Sequence, residues 1–152
     1  MLASTSFRQQ LEQVPEPERD AWLDRAWGLA DFPEDDTKLP AGCVPNLPCP
    51  VATVLSALRL AQVTSDDIFV DVGSGAGKVV LLARLLTGAE SVGLEIQATL
   101  VAHARASAER LNLGGISFIE GDAAAISRIF FSSAANPLSV PNSTGNCPSQ
   151  PG

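Results

Sequence analysis

The chain has 152 residues, 45% hydrophobic, 18% charged and 5% aromatic, with a net charge of −7. That length suits one domain, and the apolar fraction excludes a wholly disordered chain. The acid excess speaks against direct nucleic-acid binding, because few cations are present to displace counterions from phosphate, and no apolar run reaches the ~18 residues of a membrane-spanning helix.

Residues 1–8 lack a basic stretch followed by an apolar one, so a cytoplasmic protein is expected rather than a secreted one. Cys43, Cys49 and Cys147 have unrelated spacings, and His103 is the one histidine. Neither a disulfide framework nor a metal site follows from that set. Without secretion the sequon Asn142-Ser143-Thr144 is idle.

Residues 1–40 form an acidic, helical N-terminal segment, with nine acids against four basic residues. Trp22, Leu23, Ala26, Trp27 and Ala30 recur at helical spacing, which predicts a short helix docking its tryptophans on the main domain. Residues 41–50, with Pro45, Pro48 and Pro50, read as an irregular strap at the start of a unit spanning 41–128. Val51, Val54, Leu55, Leu58 and Ala61 then mark a helix that Pro50 can open. Ile68-Phe69-Val70-Asp71-Val72 is a short apolar run between a turn and glycines, the pattern of a buried parallel strand.

The next helix, 77–87, is apolar almost all round, as a helix sandwiched on a sheet would be. Ser91-Val92-Gly93-Leu94-Glu95 is a second strand, 97–111 an amphipathic helix stopped by Asn112 and Gly114-Gly115, and Ile116-Ser117-Phe118-Ile119-Glu120 a third strand. Alternating strands and helices with short links specify right-handed crossovers and a parallel sheet ordered 3-2-1. A further strand has one candidate, at 129–131. The remainder of 129–152 is uncharged and rich in Ser, Asn and Pro, the composition of a disordered tail.

The informative stretch is Asp71-Val72-Gly73-Ser74-Gly75-Ala76-Gly77-Lys78, placed where a parallel strand hands over to a helix. Glycines at 73, 75 and 77 allow a tight turn and bring N–H groups against a ligand. A Walker loop fails, because Val79 follows Lys78 and Val72 stands five before Gly77. A dinucleotide turn fails too, because counting from Gly73 puts Lys78 where its third glycine belongs. The spacing Gly-x-Gly-x-Gly after an acid resembles instead the first motif of class I S-adenosylmethionine-dependent methyltransferases. It is most similar to the subset that includes seven-strand protein-lysine methyltransferases.

The resemblance covers roughly residues 44–123. It implies a Rossmann-like α/β domain, incomplete here after the third strand, with S-adenosyl-L-methionine as cofactor. It also implies contacts from Asp71, Gly73, Ser74, Gly75, Ala76 and Gly77 at the turn. Glu95, 24 residues after Asp71, would serve the ribose and Asp122 the adenine amino group, with Ile96 and Ala123 beside them as further cofactor-binding residues. No catalytic residue is indicated. The acceptor implied is a lysine-bearing protein, and a partner chain completing the sheet is a further expectation. A non-catalytic cofactor-binding module and, at lower weight, an NAD-dependent oxidoreductase stay open. Lys78 reads as a solvated helix residue, His103 as a surface residue, and Cys43 and Cys49 as packing residues of the strap.

Overall fold

The computed structural model describes residues 4–28, 34–35, 38–39 and 41–125. The expected tail over 129–152, the strand candidate at 129–131, Cys147 and the sequon lie outside the described residues.

Three parallel strands, β1 (Ile68–Val72), β2 (Glu90–Glu95) and β3 (Ile116–Glu120), pair in the order β1-β2-β3. The register sets Val70 beside Val92 and Asp71 beside Gly93, and across the second ladder Gly93 beside Phe118 and Glu95 beside Glu120. This is the open Rossmann-like α/β sheet that the alternation of elements specifies. Numbering the helices in chain order, α1 is Ser4–Gln13, α2 Arg19–Trp27, α3 Val51–Leu60, α4 Lys78–Thr87 and α5 Ala98–Arg110. α4 links β1 to β2, and α5 links β2 to β3.

α4 is the centre of the core. Val80, Leu81, Leu82 and Ala83 have no exposed surface, so the helix is covered on nearly every side, by α1, α3 and the sheet. Phe118 reaches it from β3, and the unit closes with Val101, Ala104 and Ala108 of α5. Pro50 opens α3 as its N-cap in extended conformation.

The N-terminal segment docks on this core through an aromatic cluster. Phe7 of α1 stacks on Trp27 at 5.7 Å between ring centroids and tilts against Trp22 at 6.1 Å. Leu23 and Trp27 are buried, but Ala26 is exposed, and Gly28 at φ +65° ends α2 before Ala30.

Two expectations need correction. Lys78 is not solvated: it is 6% exposed and pairs with Asp20, with Asp24 at 3.9 Å. Nor is β1 buried. Among the described residues it is an edge strand, and Ile68, Val70 and Val72 face solvent, Val72 at 62% exposure. The helix-covered face of the sheet carries Phe69, Gly93 and Phe118, and the three exposed residues alternate away from it.

Candidate functional site

The site is built at the carboxyl end of β1, where the chain turns through 73–77 into α4. Gly73 and Ser74 both donate their N–H to the Leu94 carbonyl, at 2.8 and 3.0 Å, and Gly77 donates to Ser74 at 2.9 Å. The turn is therefore pinned to the end of β2. A Cβ on Gly77 would lie 2.7 Å from Phe118 and 2.8 Å from Ala104, with φ at +87°, so only glycine lets α4 start this close to β3 and α5. Gly73, by contrast, faces open space.

Glu95 is the hinge of this arrangement. Its Oε2 accepts from Gly75 N–H and its Oε1 from Gln97 N–H, both at 2.9 Å. The carboxylate thus sits in the crevice between the glycine turn and the exit of β2, 7% exposed. The fold supplies a structural reason for this acid, which spacing alone does not reveal: it ties two backbone segments together. Asp71 lies in the register row that also holds Gly93 and Phe118. Burial, and then the neighbouring Glu95 charge, hold its carboxyl above the usual carboxylate range. Ser74 is buried, and among the described residues its Oγ has no hydrogen-bond partner.

Over the turn lies the proline-rich strap. The Oδ1 of Asn46 occupies the space beside Gly75, 2.2 Å from where a Cβ would stand. Asp35 accepts from Asn46 N–H and from Gln97 Nε2, each at 3.0 Å. Asp20 accepts from Val51 N–H at 3.2 Å as well as from Lys78, so one carboxylate holds both the end of the strap and the start of α4. Beneath the strap is a cavity of about 200 Å³ lined by Asn46, Cys49, Asp71, Gly73, Ser74 and Lys78, among others.

The structure brings Asp71, Gly73, Ser74 and Ala76 together on this cavity and joins Gly75 to Glu95. Gly77 packs behind the turn. Ile96, half-buried, follows Glu95 but does not line the cavity. Asp122 and Ala123 do not line it either. Asp122 is exposed beyond β3, and its Oδ1 caps the next turn by accepting from Ala124 N–H at 2.9 Å. A backbone bond from Gly121 N–H to the Glu95 carbonyl, at 2.9 Å, keeps that turn at the same end of the sheet.

Sequence reasoning missed Asn46, Asp35, Gln97 and Asp20, all polar residues whose partners are distant in sequence. It also gave Gly93 no role. A Cβ there would lie 2.6 Å from Phe118 and 2.7 Å from Ser74 Oγ, and a lone glycine inside a strand was the available signal. His103 is half-buried rather than on the surface, and burial and then Arg110 lower its pKa. Among the described residues no group of three or more His, Cys, Asp or Glu is placed to hold a metal ion. No described helix is long and apolar enough to cross a membrane.

Comparison with known proteins finds similarity to methyltransferases. Residues 64–137 match a family model described as a methyltransferase domain. A curated protein-lysine N-methyltransferase of Saccharolobus islandicus is 32% identical over 81 residues, 52% of this chain and 50% of that protein. An RNA methyltransferase from Salinibacter ruber, solved with S-adenosyl-L-homocysteine, is 38% identical with a TM-score of 0.49, covering 50% of each chain. The human methyltransferase 10 domain containing protein superposes with a TM-score of 0.52 at 17% identity, over 76% of this chain and 52% of that one. In motif, sheet and sequence the α/β segment is thus similar to class I S-adenosylmethionine-dependent methyltransferases, over residues 64–137 of the chain. The chain spans about half the length of the curated relative it matches.

Proposed function

We propose that the crevice between the glycine turn and the end of β2 holds S-adenosyl-L-methionine, and that the chain is the cofactor-binding half of a methyltransferase. The observation that carries this reading is the Glu95 carboxylate, lodged against Gly75 at the mouth of the turn. Each of its oxygens accepts one backbone N–H, and a carboxylate oxygen has a second lone pair that suits a ribose hydroxyl. The turn fits the group on three counts. Gly73 leaves open space, Ser74 Oγ is buried without a partner among the described residues, and burial and Glu95 raise the Asp71 carboxyl, so that a cation bound beside it would favour its charge.

In this reading the backbone of Gly73, Ser74, Gly75, Ala76 and Gly77 cradles the methionine-linked end, with Asp71 beside it. Ile96 and Ala123 flank the base, and Asp122 meets the adenine amino group through the oxygen that does not cap its turn. When bound, the cofactor supplies an electrophilic methyl group for an in-line displacement. The chain's own part is to orient the donor and exclude water from it.

For the acceptor we propose a lysine-bearing protein. The acidic character of the chain, net charge −7, supports a cationic acceptor over a nucleic acid. The exposed apolar edge of β1 supports a partner chain that completes the sheet. Among the described residues Cys43 and Cys49 form no disulfide, which suits the reducing cytoplasm. A second reading is a cofactor-binding module without turnover.

Calorimetric titration with S-adenosylhomocysteine and NAD side by side tests the site. Preferential binding of S-adenosylhomocysteine is expected, and tighter NAD binding overturns the reading. Glu95→Gln should weaken S-adenosylhomocysteine by about 1.5–3 kcal/mol, the range for a hydrogen bond to a charged group. Labelled methyl transfer into a mixed protein extract separates the enzyme from the module.

A further inference from the structure

We infer that Asp35 and Gln97 are positioning residues that latch the proline-rich strap, 46–50, shut over the glycine turn, so that a nucleoside ligand enters and leaves only when this pair parts. The inference takes its ligand from the reading above, but the latch itself stands on separate observations. The Asp35 carboxylate is shared between the strap, through Asn46 N–H, and the sheet, through Gln97 Nε2. Gln97 is 4% exposed, and its own N–H is held by Glu95. The same residue that fixes the carboxylate of the crevice therefore fixes the cover.

Among the described residues the rest of the strap has little else to hold it. Its large apolar residue Leu47 points outward, 81% exposed, and Val44 just before it is 72% exposed, so packing contributes little to closure. At its far end Val51 N–H is held by Asp20, and the prolines at 48 and 50 restrict backbone freedom between the two anchors. A segment that is stiff, weakly packed and pinned at both ends by carboxylates opens by breaking one pin.

The cavity beneath is too small for the strap to stay put. At about 200 Å³ it falls below the roughly 300–1,000 Å³ of small-molecule pockets, and Asn46 Oδ1 rests directly on Gly75. A nucleoside with a methionine tail needs the strap to lift. Asp20 also serves Lys78, so its bond is the costlier to break. Asp35 is the pin that gives.

Cys49 lines the cavity and is half-buried, which makes its thiol a reporter of opening that needs no ligand and no activity. The test uses the full chain carrying Cys43→Ser and Cys147→Ser, so that Cys49 is the single thiol, and follows its reaction with an aromatic disulfide reagent. Gln97→Ala and Asp35→Ala should each speed that reaction about tenfold, as expected for loss of a hydrogen bond to a charged group. Gln97→Lys, which can still donate to Asp35, should keep the parent rate. Stopped-flow binding of S-adenosylhomocysteine should show on- and off-rates rising together in the two alanine variants, with the dissociation constant changing less than either rate. Both alanine variants must melt as cooperatively as the parent; Asp35 lies outside every helix and strand, so it is the safer of the two. An unchanged Cys49 rate in folded Asp35→Ala overturns the latch. If the parent does not bind S-adenosylhomocysteine at all, the functional reading fails while the thiol rates still decide the latch.

Discussion

At the β3 edge of the sheet, Arg105 reaches over from α5 and donates through Nε and Nη2 to the Phe118 carbonyl, at 3.2 and 2.7 Å. At the β1 edge no described side chain does the same, and Ile68, Val70 and Val72 stand exposed. A charged side chain that occupies an edge carbonyl is a guard against unwanted pairing, whereas an apolar, unguarded edge is a template for it. In the proposed reading, the difference teaches that β3 is finished as a boundary and β1 as a junction, and that the second takes a neighbour.

The sharpest way to break this contrast is to truncate one inward and one outward residue. Phe118 is 6% exposed and packs behind Gly77 and Gly93, so Phe118→Ala should cost about 3–5 kcal/mol in urea denaturation. Val70 is 51% exposed, and Val70→Ala should cost less than about 1 kcal/mol. Similar losses at both positions would mean that β1 is as covered as β3. Lys78→Met comes next. It leaves Asp20 and Asp24 without their cation, and should cost about 2 kcal/mol at neutral pH; ~3–5 kcal/mol applies to fully buried pairs, and Asp20 is 41% exposed. The Asp24 carboxyl already sits above its usual value because of burial, with Lys78 opposing that rise. Without Lys78 the charged form costs more, so the deficit should be largest at neutral pH and shrink as pH falls toward 4, the usual aspartate range. A pH-independent deficit would remove the charge argument.

Arg105→Met is the smaller, more pointed test. It opens the Phe118 carbonyl and should cost about 1 kcal/mol. It should also raise self-association in sedimentation runs if edge protection is its work. Val72→Lys at the opposite edge should lower self-association with little change in stability, because the side chain is solvent-exposed already. Matching behaviour at both edges would erase the distinction between boundary and junction.

Most of the α/β unit was legible because its signals are local. The glycine turn, the apolar strands and the all-round apolar α4 each announce themselves within a few residues, and the sheet order follows from crossover handedness. What escaped depends on partners far along the chain. α1 offers only Phe7 and Leu11 at helical spacing in a polar stretch, and its burial comes from α4 and the tryptophans of α2. Lys78 looked solvated because its partner Asp20 is 58 residues away. β1 read as buried because an apolar edge strand and a central strand share one pattern; which it becomes is decided by the neighbours present. At the site, the motif residues were visible, but the strap's grip through Asp35, Asn46 and Gln97 was not, since no local spacing encodes it.

The last and smallest effect concerns Asp71, the one carboxylate on the junction strand. Burial chiefly, and then Glu95, raise its pKa in the folded chain above the unfolded value. The native state therefore binds the proton more tightly than the unfolded state does, and stability falls as pH rises from the usual aspartate range through the raised value. Asp71→Asn removes that penalty, so the variant should melt slightly higher than the parent at neutral pH, by a margin that closes near pH 4, around the unperturbed aspartate pKa. The same change removes a negative charge from the cavity wall. In the proposed reading it should weaken binding of the sulfonium cofactor more than that of its neutral thioether product, because only the former gains from the carboxylate. Titrating both ligands into parent and variant separates the two consequences. A lower melting temperature for Asp71→Asn would mean that its charge is satisfied by the fold, leaving nothing for a cationic ligand to relieve.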